Sequence, residues 1–229
     1  MPKISAIVPV YIKHEDQIPW LEECLNSICP VIDEVIVIDD GSPVDLSDVQ
    51  VVGDNIEWYR LGTNQGTSRA RNLAVEYASN DLIFPLDCDD LIIPEAFELF
   101  IAEWDGTPLY PDLMKLRSNG DSKIHRLLDF QCDLLMKHIG ISSVNVLHTK
   151  AQWNSVGRWD EDIEYLEDGE YNTRLMYWFC AKRVPIPVVK YRQHKYQKTR
   201  LHSSEHEQQL RQMLVKVRNY MDTQDVGSI

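Results

Sequence analysis

Positive charge is scarce in this chain: 23 lysines and arginines face 36 aspartates and glutamates, a formal net charge of -13 over 229 residues. A polyanion is repelled by such a molecule, so general nucleic-acid binding and adhesion to lipid headgroups are excluded except at a local basic patch. Cysteine is sparse too. Cys24, Cys29, Cys88, Cys132 and Cys180 form neither a CxxC pair nor an even set, which argues against a disulfide framework or structural zinc and for a reducing compartment. No apolar run approaches the roughly 20 residues that span a bilayer. No charged leader or cleavage site precedes Ile4. The expectation is a cytoplasmic protein that reaches a membrane only through a partner. Repeats and low-complexity tracts are also missing.

What is there is a well-supplied core, with 44% hydrophobic residues, enough for one α/β domain. Residues 4–10, 34–39 and 82–87 read as strands of nearly continuous apolar character, and 56–60 as a fourth. Between them, 17–28 and 67–78 read as helices, with Leu21, Cys24, Leu25 and Ile28 inward on the first and Ala70, Leu73, Ala74 and Tyr77 on the second. That alternation predicts a mostly parallel, open sheet flanked by helices. In such sheets ligands bind beyond the carboxyl ends of the strands where the strand order reverses. Residues 9–11, 39–42 and 87–90 are thereby expected on one rim. Later in the chain, 167–179 reads as a helix with Tyr171, Leu175 and Trp178 inward, and 205–220 as another; Pro185 and Pro187 are expected to break the chain between them. Residues 105–129 carry no clear period.

The strand 82–87 ends in Asp87, Asp89 and Asp90, three carboxylates within four residues. Like charges crowded at a buried strand tip are costly unless a cation or donors compensate. Mg²⁺ or Mn²⁺ suits such oxygen ligands, taking one or two from protein and the rest from water and phosphates. The competing reading is a capped turn before the helix that Pro94 opens. Asp39-Asp40-Gly41-Ser42 is either an ordinary Asx turn or a strand-end acid that accepts hydrogen bonds from a base or ribose. Arg71, in the helix just before the acidic strand, offers a planar fork suited to phosphate or carboxylate.

In order, the segments ISAIVPVY, EVIVIDDGS, NQGTSRARNLAVEYASNDLIFPLDCDD, VGRWDED, EDGEYNTRL and VVKYRQH closely resemble the large family 2 of inverting glycosyltransferases with the GT-A fold. The resemblance runs from Ile4 to about His194. It implies a nucleoside-diphosphate sugar donor, most simply a UDP-sugar, and a divalent cation, Mn²⁺ or Mg²⁺. Pro9 and Tyr11 then line the base pocket, Asp40 holds the base or ribose with Asp39 as its neighbour, and Arg71 sits near the base or sugar. Asp87 contacts ribose or a metal-bound water, Asp89 ligates the cation, and Asp90 braces the loop. Glu167 and Asp168 match the family's acidic pair, which makes Asp168 the base that deprotonates an acceptor hydroxyl. A helix N-terminus is expected to lower that base's strength. His194 matches a metal-ligating histidine and Arg192 a diphosphate contact, and the basic stretch Lys182 to Arg200 suits a mobile flap over phosphates, and equally a solvated surface or a contact for an anionic acceptor.

By this reading 1–229 is one domain: a nucleotide-sugar half (1–104), an acceptor and catalytic half (105–200) and a C-terminal helix (201–229). Where the family usually carries Phe, this chain has Trp159, expected to reshape an acceptor wall. The acceptor, whether glycan, lipid, protein or modified base, is not named by any motif. A sugar-phosphate nucleotidyltransferase shares the sheet and the acids but needs a glycine-rich loop after the first strand, and Pro9-Val10-Tyr11-Ile12-Lys13 has no glycine. A second rival is a partner subunit that binds nucleotide-sugar without turnover.

Overall fold

The structure is a computed structural model and describes residues 2–129, 145–197, 215–217 and 219–220. Its centre is β1 (Ile4–Val10), buried at every position, because strands flank it on both edges. β2 (Glu34–Asp39) pairs with it in parallel on one side and β4 (Leu82–Pro85) on the other; β3 (Ile56–Arg60) extends the β2 edge, also in parallel. The short strand β8 (His148–Thr149) closes the far edge antiparallel to β4, giving the order β3-β2-β1-β4-β8. The chain thus works outward from β1 through β2 and β3, then crosses to β4. The order reverses between β1 and β4, so a crevice opens beyond their carboxyl ends.

Alternate side chains of β1 feed two cores. Ile4, Ala6, Val8 and Val10 meet α1 (Ile18–Ile28) and α3 (Pro94–Ile101), while Ile7, Ile36 and Ile38 meet α2 (Thr67–Tyr77) and the helix Glu167–Phe179. Each fully buried aliphatic side chain contributes about 1.5–3 kcal/mol, so this double coverage is what holds the strand ends in place. The expected strands and helices of residues 4–101 all form. β4 stops at Pro85 rather than Asp87, because Leu86 N–H still reaches Ile7 O but Asp87 starts a turn in which its carbonyl accepts from Asp90 N–H. Tyr77 does not face inward: it is 47% exposed, at the last turn of α2, its ring tilted against Tyr59 of the edge strand with centroids 4.4 Å apart.

A second sheet, β5-β9-β6-β7, comprises β5 (Leu91–Ile92), β6 (Leu109–Leu116), β7 (Ser122–His125) and β9 (Lys182–Arg192). The stretch without a clear period is therefore the hairpin β6–β7. Its pattern is masked by Pro111 and Asp112, where the β6–β9 register shifts, and by a buried ion pair. Asp112, 2% exposed, takes both Arg183 Nε and Nη2 at 2.8 Å and Leu127 N–H at 2.9 Å. The same irregularity lets β9 run through Pro185 and Pro187 instead of breaking. Residues 182–192 are consequently an interior strand of a sheet and not a mobile flap; Lys198 and Arg200 lie outside the described residues, as does nearly all of 205–220.

The helix Glu167–Phe179 departs from an amphipathic pattern. Its residues 169–176 are all buried, polar ones included, and only the last turn emerges, with Trp178 41% exposed rather than inward. Arg174 pairs with Glu170 through two hydrogen bonds, 2.6 and 2.7 Å long, and Thr173 Oγ1 donates to Gly169 O at 2.6 Å. Among the described residues Cys24, Cys29, Cys88 and Cys180 are free thiols, and no helix is long and apolar enough to cross a membrane.

Removing Asp112 strips two of the bonds to Arg183 and the acceptor of Leu127 N–H, and leaves Arg183, which is partly exposed, with Asp129 alone. Asp112→Ala is expected to lower the unfolding free energy by about 1–3 kcal/mol in urea titrations. A loss below about 0.5 kcal/mol, the range of ordinary surface changes, contradicts the role given to the pair.

Candidate active site

At the ends of β1 and β2 the backbone is stitched together. Asp40 N–H donates to Val10 O at 2.8 Å and Ile12 N–H to Ser42 Oγ at 2.9 Å. Asp39 accepts from Ser42 N–H at 2.8 Å and from Arg60 Nη1 at 2.6 Å. Asp40, 3% exposed, accepts from the N–H groups of Gln65 and Gly66 at 2.7 and 2.8 Å, while burial raises its pKa against those bonds. Both acids therefore hold the surrounding turns against the strand end, Asp40 by gripping the 63–66 loop. Gly41 makes that approach possible: its φ is +72°, and a Cβ there meets Thr63 C at 2.8 Å. Pro9 sits within β1, opposite Ile38, and Tyr11 just beyond it is 37% exposed.

Past β4, Asp87, Asp89 and Asp90 offer carboxylate oxygens all within 4.8 Å of one another. His194 Nε2 lies 2.6 Å from Asp89 Oδ2, and its Nδ1 accepts from Tyr196 N–H at 3.2 Å, so Nε2 is the ring nitrogen turned toward the acidic group. The imidazole is held by Trp20, whose ring centroid is 4.5 Å away. Asp90 is 1% exposed and accepts from Arg192 N–H at 2.9 Å; burial, then Asp89 and Asp87, push its pKa well above the usual range. Arg192 gives Nε to the Asp89 carbonyl at 2.9 Å, bonds Glu23 through Nη2 and lies over the Trp20 ring. The three carboxylates form an all-oxygen donor set, with the His194 imidazole beside Asp89, and such a set fits Mg²⁺ or Mn²⁺.

Arg71 connects these acids to the second acidic group. It is 2% exposed on α2 and donates from Nη2 to Asp87 Oδ1 at 2.8 Å and from Nη1 to Glu167 Oε1 at 3.2 Å. Burial works to lower its pKa, but Asp87 and Glu167 hold it above the ordinary value. Asp87 is pushed up by desolvation, with Arg71 pulling down and Asp89 adding to the rise. Asp168 follows Glu167 in the first turn, and its Oδ1 accepts from Gly169 N–H at 2.8 Å. Burial, then Glu167, raises Asp168 to about 6, with Arg71 opposing. Burial and the neighbouring anion act against the lowering expected at a helix N-terminus. Leu166, which precedes the pair, is in the left-handed region at φ +63°, a strained conformation for a leucine.

The structure thus links Arg71, Asp87 and Glu167 directly, and Asp89 with His194, and sets Asp168 beside Glu167. Asp39, Asp40, Pro9 and Tyr11 occupy the neighbouring strand ends. Trp159 is not on an open wall: it is 2% exposed and stacks at 4.0 Å on Tyr171, an interior site its size fills. Asn72 was given no role by sequence reasoning. Its side chain donates to Trp159 O and Glu161 Oε1, both at 2.9 Å, and accepts from Trp159 N–H at 3.1 Å and Trp153 Nε1 at 3.3 Å. An asparagine amid Arg71 and Leu73, where helices disfavour it, was the available signal.

An open, mostly parallel α/β sheet with an acidic group at its switch point defines a GT-A class of fold. A family model, glycosyl transferase family 2, matches residues 5–134, and the chain belongs to that family. An uncharacterized glycosyltransferase of Haemophilus influenzae is 36% identical over 104 residues, 43% of this chain and 40% of that protein. One of Rickettsia conorii is 34% identical over 102 residues, 42% of this chain and 16% of the relative. Among solved structures, S. aureus TarS 1-349 in complex with UDP-GlcNAc superimposes with a TM-score of 0.66 at 19% identity, covering 85% of this chain and 60% of TarS 1-349. The chain matches less than half the length of these curated relatives.

Gly41→Ala forces a left-handed alanine against the Thr63 backbone, at a cost of about 2 kcal/mol. Thermal denaturation is expected to show Tm lowered by about 4–8 °C; an unchanged Tm contradicts the close approach.

Proposed function

We propose that this protein is a metal-dependent inverting glycosyltransferase that moves a sugar from a nucleoside-diphosphate sugar, most simply a UDP-sugar, to an acceptor hydroxyl. The observation that carries this reading is the pairing of two acidic groups at the sheet's switch point, one around Asp89 and one around Asp168, bridged by Arg71. Family membership and the likeness to a TarS structure containing UDP-GlcNAc support the donor class. In this reading Asp87, Asp89 and His194 face the cation, with Tyr11, Asp39 and Asp40 nearest the nucleoside and Arg192 nearest the diphosphate. A bound Mg²⁺ or Mn²⁺ neutralises charge growing on the departing diphosphate.

Inversion calls for a base on the face opposite the leaving group, within hydrogen-bond reach of the acceptor hydroxyl. Asp168 has a proton affinity suited to this role, since a carboxylate at about 6 is ionised at neutral pH yet more basic than a solvated one. Glu167 is held by Arg71 and is less free to take a proton from an acceptor.

Two variants separate the roles. Asp168→Asn is expected to keep Mn²⁺-dependent UDP binding and to lower kcat by about 1000-fold, whereas Asp89→Asn loses the metal-dependent binding itself. The opposite pattern in calorimetry and UDP-release assays overturns the assignment, and UDP binding without release from any UDP-sugar favours the silent partner subunit. The base must be ionised to act, so kcat/KM should rise with pH through about 6 and fall about tenfold per unit below it. A flat profile from pH 5 to 8 removes Asp168 as the base.

A further inference from the structure

We propose that Arg71 is a positioning residue: it locks the helix that carries Asp168 in register with the Asp87 loop by giving one guanidinium nitrogen to Glu167 and another to Asp87. The inference rests on the catalytic reading above, but its geometry is independent of it. The two carboxylates lie 16 and 96 residues along the chain from Arg71, on the turn after β4 and on the helix Glu167–Phe179. A buried guanidinium bonded to one carboxylate alone would form two parallel bonds. Here the fork is split across two elements, and Nε is left buried with no hydrogen-bond partner. Giving up that bond costs free energy, so the observed orientation is set by reaching both acids at once. Lysine, a point charge on a flexible stem, has no such fork.

The next residue reinforces the same alignment. Asn72 fixes the backbone of Trp159, on the segment that leads into the acidic helix. Two consecutive residues of α2 therefore hold the approach to the helix and its first turn. Between those clamps sits Leu166 with its left-handed backbone, a strained conformation that persists only when its surroundings over-determine it. Asp168 is one residue beyond the clamped Glu167, so its distance from the cation side is a consequence of where Arg71 holds Glu167. Each Nη of Arg71 gives one bond to a protein acid, and the residue is 2% exposed; the resemblance places the same residue near the base or sugar.

The test uses the full chain with Arg71→Met and Arg71→Lys, assayed with the UDP-sugar the wild type turns over. A shift of about 1 Å in a reacting group costs on the order of 100-fold. The expected result for Arg71→Met is a kcat lower by about that factor, with donor KM changed less than about threefold. Arg71→Lys, which keeps the charge and guards against misfolding, should still lose at least about tenfold, because an ammonium cannot serve both acids. Mn²⁺ binding followed by electron paramagnetic resonance should be no weaker in Arg71→Met, since a cation beside Asp87 has been removed. Losses confined to donor KM, or full rescue by lysine, overturn the proposal. A thermal-denaturation cycle with Glu167→Leu decides the matter even if the wild type transfers no sugar, an outcome that sinks the catalytic reading alone. Non-additive Tm losses support the lock. Additive ones overturn it.

Discussion

Everything in this molecule is arranged around one electrostatic problem: Asp87, Asp89, Asp90, Glu167 and Asp168 gather past the end of β4, where each anion raises the cost of the others. The protein meets that cost in layers. Arg71 is buried between the two groups, the Arg192 backbone binds Asp90, and His194 faces Asp89. A divalent cation held by Asp87, Asp89 and Asp90 would complete the balance, since carboxylates that repel each other become cooperative ligands around one ion. The apolar sheet is the precondition, because a strand buried along its length on both faces fixes where such a cluster stands.

The first hundred residues were legible because that burial writes itself into sequence. Ile4 to Val10 and Glu34 to Asp39 are nearly unbroken apolar runs, and a parallel sheet is what such runs make. The acids were legible as candidates for the same reason: charge directly after an apolar run is conspicuous. The second half was hard to read because it stabilises itself differently. Asp112 and Arg183 form a buried pair in the middle of strands, prolines sit at a register shift, and the helix Glu167–Phe179 buries polar residues that bond one another. None of these leaves a hydrophobic period. Tyr77 and Trp178 fit a helical stripe but fall on final turns, where a stripe no longer meets a core.

Pair geometry was also invisible. Sequence put Arg71 near the acids, yet only the fold shows one guanidinium divided between Asp87 and Glu167. Asp39 and Asp40 likewise read as ligand-facing acids at a strand end, and the fold adds that both brace the turns beside it. A site built this way is stiff where the chain turns sharply, at Gly41 and Leu166, and that stiffness costs stability in exchange for fixed positions.

The most direct measurement is anomalous diffraction from crystals of this protein soaked with Mn²⁺ and UDP. The account predicts a single strong peak within about 2.2 Å of an Asp89 carboxylate oxygen, next to the diphosphate and on the Asp87 side of Arg71. Manganese bound elsewhere, or UDP seated on the rim with no ion beside residue 89, contradicts it.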